Sequence, residues 1–274
     1  AVDQITRARE SYLAGLPIAK IVDVIDAAIG SWMDPGYHLR QAAENLLPAV
    51  TGYSQPMLHQ GLPDLLKPFR RQGLQALLKA EFGDPAVLDQ PTSDSKLKRK
   101  ARVLGPRVTA HFLAGNIPAV PVESLVHALL VKSACLVKAS SRDPLFPALF
   151  AQSLAEADPK LGACLAVLWW KGGQGNLEEQ AYALSETVIA YGSDSVISGI
   201  RRLVPTRTRL ITYGARISVA AIGREALSLE EATGLAGKAA WDVSFFDQQG
   251  CVAPHTIYVE RGGETTPIEF ARAL

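Results

Sequence analysis

Val108-Thr109-Ala110-His111-Phe112-Leu113 is a short apolar run that predicts a strand, and the alternation it opens decides the fold. A helical pattern over Ser124–Lys132 leads to a second apolar run, Ala134–Lys138, then to a helical pattern over Pro144–Ala155 and a third run, Ala163–Trp170. The alternation continues with a helix over Leu177–Leu184, a strand over Thr187–Tyr191 and a glycine-serine turn that opens a helix at Asp194. Strands alternating with helices are the signature of βαβ units, and runs that are apolar throughout belong on a parallel sheet covered on both faces. The expected fold class is α/β.

Downstream, Arg209–Tyr213 and Ser218–Ile222 read as further strands, followed by a helix from Leu229 to about Val243, a strand over Thr256–Glu260 and a helix over Pro267–Leu274. Upstream, Pro17–Ile29, Leu39–Val50 and Leu62–Phe82 repeat their apolar residues at intervals of three and four, as helices do. Pro35-Gly36, Gly61-Leu62-Pro63 and Gly83-Asp84-Pro85 punctuate this helical region, and a polar linker, Gln90–Lys100, ends it.

With 48% hydrophobic and 20% charged residues in 274, the composition is that of a globular protein and excludes a disordered chain. Twenty-eight basic residues against 27 acidic ones leave a net charge of +1, which argues against nucleic acid or an acidic membrane surface as partner. The basic run Lys96, Lys98, Arg99, Lys100 and Arg102 reads as a solvated linker. Cysteines 135, 164 and 251 make an odd set without CxxC spacing, against both a disulfide framework and a zinc site. No apolar stretch reaches membrane-spanning length and no signal-peptide order opens the chain, so the expected compartment is the cytoplasm. The first residue is Ala1, and Leu274 falls inside an apparent helix, so the chain reads as a fragment.

The loop Ser244-Phe245-Phe246-Asp247-Gln248-Gln249-Gly250-Cys251-Val252-Ala253-Pro254 places one cysteine after a glycine, between a helical pattern and a strand. A thiol in such a loop can be a nucleophile, whereas Cys135 and Cys164, in or beside strands, read as buried and inert. Together with Ala114-Gly115-Asn116-Ile117-Pro118 and Val137-Lys138-Ala139-Ser140-Ser141-Arg142, the loop resembles the aldehyde dehydrogenase superfamily. Within it, the chain is similar to the acyl-CoA reductases related to the fatty-acid reductase of bacterial bioluminescence. The resemblance covers roughly Arg102 to Leu274, and only the reductase subgroup shares the helical N-terminal region. It implies a helical region over residues 1–95, a parallel-sheet dinucleotide-binding domain over 96–215 and the opening of a catalytic domain over 216–274.

The resemblance also implies roles. Cys251 would attack a thioester, and the Asn116 carboxamide would join the Cys251 backbone N–H in holding the oxyanion; the other reading of Asn116 is a residue that stabilises its own turn before proline. Lys138 would bond the adenine ribose. Ser141 stands where many NAD-using relatives carry a glutamate, and Arg142 follows it. With Ser140, these residues suit a 2′-phosphate and therefore NADPH, because a guanidinium grips phosphate in a bidentate fork. Two segments could face the pyrophosphate. Gly172 lies in Lys171-Gly172-Gly173-Gln174-Gly175-Asn176, which lacks full GxGxxG spacing; Gly192 and Ser193 open a helix, where free N–H groups favour phosphate, although Ser193 or Asp194 could also be a plain N-cap.

One departure bears on the reaction. Hydrolytic members carry a glutamate that activates water, and here the corresponding stretch is Thr212-Tyr213-Gly214-Ala215-Arg216. Without that base an acyl-enzyme would last long enough to be reduced. The activity implied is NADPH-dependent reduction of long-chain acyl-CoA to aldehyde, with an acyl-protein synthetase as a possible donor partner and a homo-oligomer at full length. Two alternatives stay open: an acylating or ordinary aldehyde dehydrogenase, and a catalytically incomplete module that binds nucleotide or a partner. His255 reads equally well as a proton donor and as a strand residue.

Overall fold

The structure, a computed structural model, describes residues 1–94, 99–173 and 175–274. The chain divides into two compact units, Ala1–Gly214 and Ala215–Leu274.

The first unit begins with helices α1 (Val2–Ser11), α2 (Ile18–Met33), α3 (His38–Thr51), α4 (Gln55–Leu66) and α5 (Arg71–Phe82). The continuous pattern over Leu62–Phe82 is split in the structure, because a single 3-10 turn with Pro68 at its second position separates α4 from α5. Pro68 has no N–H to give to a helical ladder, and the chain turns there. The expected linker is also more ordered than a linker: β1 (Thr92–Asp94) and β2 (Arg99–Ala101) pair antiparallel. Lys96, Lys98 and the expected boundary between 95 and 96 fall outside the described residues.

The sheet comes next, with β3 (Val108–Phe112), α6 (Val120–Leu130), β4 (Ala134–Lys138), α7 (Phe146–Ala157), the single turn α8 (Pro159–Gly162), β5 (Leu165–Leu168), α9 (Gly175–Ala183), β6 (Thr187–Tyr191), α10 (Asp194–Leu203) and β7 (Arg209–Tyr213). Its strand order is β5-β4-β3-β6-β7, and every pair is parallel. The order reverses between β3 and β6, so the sheet is doubly wound with its switch point there. Val108, Ala110 and Phe112 face a core shared with Ile5 of α1, Tyr182 of α9 and Ile197 and Ile200 of α10. The opposite face carries Thr109 and His111 and is covered by α6 and α7. The helical layer is tied to it through Trp32, fully buried in α2, whose Nε1 donates to Ser153 Oγ of α7 at 3.0 Å.

α6 starts earlier than the sequence pattern suggests, because Pro121 sits in the first turn, where a missing N–H costs nothing. Lys132, in the left-handed region at φ 62°, lies just past its end.

The second unit consists of β8 (Ser218–Ile222), α11 (Ala232–Ser244), β9 (Pro254–Val259) and α12 (Pro267–Ala273). β8 and β9 pair in parallel through the α11 crossover, and Leu227, Ala236 and Phe270 form the centre of a small core. Among the described residues no helix is long and apolar enough to cross a membrane.

Candidate active site

A doubly wound sheet collects the loops that leave its strands at one edge, and ligands bind there, outside the carboxyl ends at the switch point. Asn116 follows β3, Lys138 ends β4, Ser140, Ser141 and Arg142 follow it, Gly172 follows β5, and Gly192 and Ser193 follow β6. All eight therefore share the carboxyl edge of one sheet. Cys251 belongs to the second unit.

The loops after β3 and β4 are packed hard together. A Cβ on Gly115 would stand 2.6 Å from Ser140 Oγ and 2.8 Å from the Asp143 backbone nitrogen, so only glycine fits. Asn116 is half-buried, and its carbonyl oxygen accepts from the Tyr53 hydroxyl of the helical region. Behind Arg142, Asp143 is buried, and its Oδ1 accepts from the N–H groups of Leu145 (3.2 Å) and Phe146 (2.9 Å) at the start of α7. Its Oδ2 is buried without a partner among the described residues, and burial raises its carboxyl above the usual value. Ser141 and Arg142 are exposed, and Ser140 Oγ accepts from the Arg142 N–H at 3.2 Å.

Lys138 is half-buried, and that burial lowers its ammonium below the usual value while the Glu178 carboxylate opposes the shift. Glu178 lies on α9 and also accepts from the Gly173 N–H at 3.1 Å. Sequence reasoning misses Glu178, since nothing in a chain with Gly173 and Glu178 on separate patterns announces that a helix returns a carboxylate to the edge. Gln174 of that glycine segment lies outside the described residues. Ser193 occupies the N-cap position of α10 without capping it. Its Oγ lies 3.0 Å from Ser195 Oγ instead, which leaves the first-turn N–H groups without a side-chain cap.

A polar line beneath this edge is equally silent in the sequence. His111 is completely buried on β3, with Nδ1 2.7 Å from Ser124 Oγ of α6 and Nε2 buried without a partner among the described residues. Burial alone holds its imidazole down, at about 3, so it is neutral near pH 7. Burial raises the Tyr191 hydroxyl above the usual phenol value, an effect that the nearby Ser124 opposes. Beside α6, a cavity of about 600 Å³ is lined by Leu65, Phe69, Leu74 and Leu77 from the α4 and α5 region and by Ala119 and Val120 at the start of α6. It reaches Ala119, close in sequence to Asn116.

In the second unit Cys251 lies in the loop before β9 and is exposed, whereas Cys135 and Cys164 are buried. Burial pushes the Cys135 thiol up strongly and the Cys164 thiol up to about 11, so neither is a ready thiolate. Ser218 Oγ of β8 donates to the Cys251 carbonyl oxygen at 2.5 Å, fixing the loop's backbone. Just upstream, Phe246, Asp247 and Gln248 all have positive φ (49°, 51° and 60°), a costly conformation for non-glycine residues, about 1–2 kcal/mol each. The buried Phe246 side chain anchors this turn against Phe245, with ring centroids 4.8 Å apart. His255 is exposed on β9, where the pairing steps from Ser218↔Pro254 to Val219↔Thr256 and leaves it as the extra, bulged residue.

The chain is similar to known proteins. A family model described as acyl-CoA reductase (LuxC) matches residues 13–274. The long-chain acyl-protein thioester reductase of Photorhabdus luminescens is 27% identical over 250 residues, which is 89% of this chain and 50% of that protein. The enzyme of the same description from Aliivibrio fischeri is 27% identical over 251 residues, again 89% and 50%. The chain thus spans about half the length of the curated relatives it matches. Among solved structures, glyceraldehyde-3-phosphate dehydrogenase GapN of Methanocaldococcus jannaschii, complexed with NADP, superposes with a TM-score of 0.71 at 13% identity, covering 99% of this chain and 56% of that one. Betaine aldehyde dehydrogenase of Staphylococcus aureus, in complex with NAD+, gives 0.71 at 16%, covering 100% and 52%. At these identities the likeness establishes an aldehyde dehydrogenase-like fold, partial relative to the full-length structures.

Proposed function

We propose, since the chain belongs to the acyl-CoA reductase (LuxC) family, that it carries the dinucleotide site and the nucleophile of an NADPH-dependent reductase converting long-chain acyl thioesters to aldehydes. The observation that carries this reading is the contrast among the cysteines: Cys251 is exposed in a loop held by Ser218, and the other two are buried. In this reading residues 96–215 bind the dinucleotide, 216–274 open the catalytic domain, and 1–95 form the helical region.

The donor set fits a dinucleotide. Exposed Ser141 and Arg142, Ser140 beside them and half-buried Lys138 would hold the 2′-phosphate and ribose. Gly172, Gly192, Ser193 and the uncapped N–H groups of α10 would face the pyrophosphate. When bound, NADPH supplies the hydride that reduces the acyl carbon.

Cys251, as thiolate, attacks the thioester carbonyl carbon, and the C–S bond to coenzyme A or a donor protein breaks as that thiolate leaves. The Asn116 carboxamide and the Cys251 backbone N–H stabilise the oxyanion, each such donor being worth about 3 kcal/mol. After reduction the hemithioacetal on Cys251 loses its proton, the C–S bond breaks, and aldehyde leaves with the thiolate restored. Thr212 has no carboxylate to activate water, which keeps the acyl-enzyme available for reduction. The cavity beside α6 has the size of a small-molecule pocket, and its mostly apolar wall, which also carries Asp64, Glu123 and His127, suits an alkyl chain with a polar end. An acyl-protein synthetase as donor, and assembly of the full-length enzyme into a homo-oligomer, belong to the same proposal.

A single-turnover experiment tests it. Tetradecanoyl-CoA and NADPH should give aldehyde and free coenzyme A in equal amounts, and acylated protein with an equal amount of free coenzyme A when NADPH is withheld. Free fatty acid in place of aldehyde would overturn the reading.

A further inference from the structure

The cavity beside α6 is walled by elements of the first unit alone. Val120, Glu123 and His127 lie on a single face of α6 and line one side, with Leu65, Phe69 and Leu77 among the residues opposite. That helix face is a ruler. At about 1.5 Å of rise per residue, Glu123 stands about 6 Å and His127 about 12 Å beyond Ala119, which is close in sequence to Asn116. Glu123 and, on α4, Asp64 are exposed, so their carboxylates stand at the water-facing rim, whereas His127 is half-buried. The His127 ring packs edge-on against Phe69, with centroids 6.3 Å apart and planes at 70°, and its nitrogens have no hydrogen-bond partner among the described residues. An imidazole able to give or take a hydrogen bond is thus left open on an otherwise apolar stretch of wall.

We propose that this cavity selects acyl chains whose far end carries a hydroxyl group, with His127 as the residue that receives it. The proposal rests on the reductase reading above, in which Asn116 holds the thioester oxygen. A chain that starts there and runs along α6 keeps its methylenes against Phe69, Leu74 and Leu77 and brings its last carbon to His127. A methyl end covers the imidazole and strips it of water without replacing the lost hydrogen bond, whereas a hydroxyl end replaces it. A carboxylate end is disfavoured, because it enters an apolar cavity unpaired and faces the like charges of Asp64 and Glu123. The substrate class is therefore the ω-hydroxyacyl thioester, and the product an ω-hydroxyaldehyde.

Acylation rates, read as coenzyme A released without NADPH from decanoyl-CoA, 10-hydroxydecanoyl-CoA and 9-carboxynonanoyl-CoA, test the assignment. The unmodified protein should react about three- to tenfold faster with the hydroxy ester than with the plain one, the worth of one neutral hydrogen bond, and slowest with the carboxy ester. His127→Phe, which keeps a ring against Phe69, should abolish the preference for the hydroxy ester without slowing decanoyl-CoA, and His127→Gln, which keeps a hydrogen-bonding end, should retain part of it. Asp64→Asn combined with Glu123→Gln should bring the carboxy ester closer to the plain one. In Cys251→Ala, which binds without reacting, the His127 ring-proton NMR signals should shift more with the hydroxy ester than with the plain one. Equal rates with these two esters, or a preference that survives His127→Phe, would overturn the assignment while acylation itself leaves the reductase reading standing. If no ester acylates the protein, the reductase reading fails and the assignment with it.

Discussion

Gly115 and Ser140 touch across the β3 and β4 loops so closely that a Cβ on Gly115 would stand 2.6 Å from the Ser140 hydroxyl. The position of the Ser140–Arg142 turn is therefore set by the backbone beside Asn116, and the two parts of the proposed site are built against each other. Gly115→Ala must push them apart, with an overpacking cost of roughly 1–3 kcal/mol. A lower Tm and NADPH binding weakened by about tenfold, a loss of roughly 1.4 kcal/mol, are expected by differential scanning fluorimetry and calorimetry. An unchanged Tm and affinity would contradict the contact.

Cofactor choice should track the charges around β4. Arg142→Ala should lower NADPH affinity more than NADH affinity, and Ser141→Glu should reverse the preference by setting a carboxylate against the 2′-phosphate. Glu178→Gln removes the negative charge that faces Lys138 and should tighten NADPH binding. Titration of each variant with both nucleotides checks this, and tighter NADH binding by the unmodified protein would end the NADPH assignment.

His111 gives the fold an acid sensitivity of known sign. Its folded value of about 3 lies below the usual 6.5, so above pH 6.5 it is neutral folded or unfolded and contributes no pH dependence. Between these values only the unfolded chain takes up the proton, and stability falls as pH falls, by up to about 1.4 kcal/mol per pH unit. Urea unfolding at pH 7.5 and pH 5 should show a stability loss about 2 kcal/mol larger for the unmodified protein than for His111→Gln. Identical losses would mean that His111 becomes protonated in the folded state.

The central sheet is legible in the sequence because its strands are short, mostly apolar runs: the inner strands Ala134–Lys138 and Thr187–Tyr191 and the edge strand Arg209–Tyr213 begin and end where their patterns do. Helix starts are less so. Pro121 looks like a breaker but serves in the first turn of α6, and Pro68 interrupts a pattern that otherwise reads as one helix. The sequence motifs also locate the edge residues, since each comes after a strand. The lateral contacts are not legible. Gly115 against Ser140, the Glu178 carboxylate acting on Lys138, and Tyr191 on Tyr213 join residues far apart in the chain through strand order and register, which local periodicity does not carry. The one signal for the last pair is a tyrosine ending each of two strand patterns, at Tyr191 and Tyr213.

Thr212 sits on β7, half-buried, and the proposed reading sets it at the position of the base of hydrolytic aldehyde dehydrogenases. Thr212→Glu should speed release of free fatty acid from the acylated protein in the absence of NADPH, by a factor of about 10²–10⁴ if the carboxylate acts as a general base. Gas chromatography of the released acid measures it. No change on substitution would mean that position 212 does not face the acyl group.

The central claim is that Cys251 carries the acyl group. The protein should be incubated with radiolabelled tetradecanoyl-CoA and washed, one portion treated with hydroxylamine to test release of the label, and another digested without it, with the labelled peptide identified by mass spectrometry. The label should be hydroxylamine-sensitive, lie on the peptide containing Cys251, disappear in Cys251→Ala and persist in Cys135→Ala and Cys164→Ala. Labelling that survives Cys251→Ala, or that falls equally in all three variants, would contradict the account.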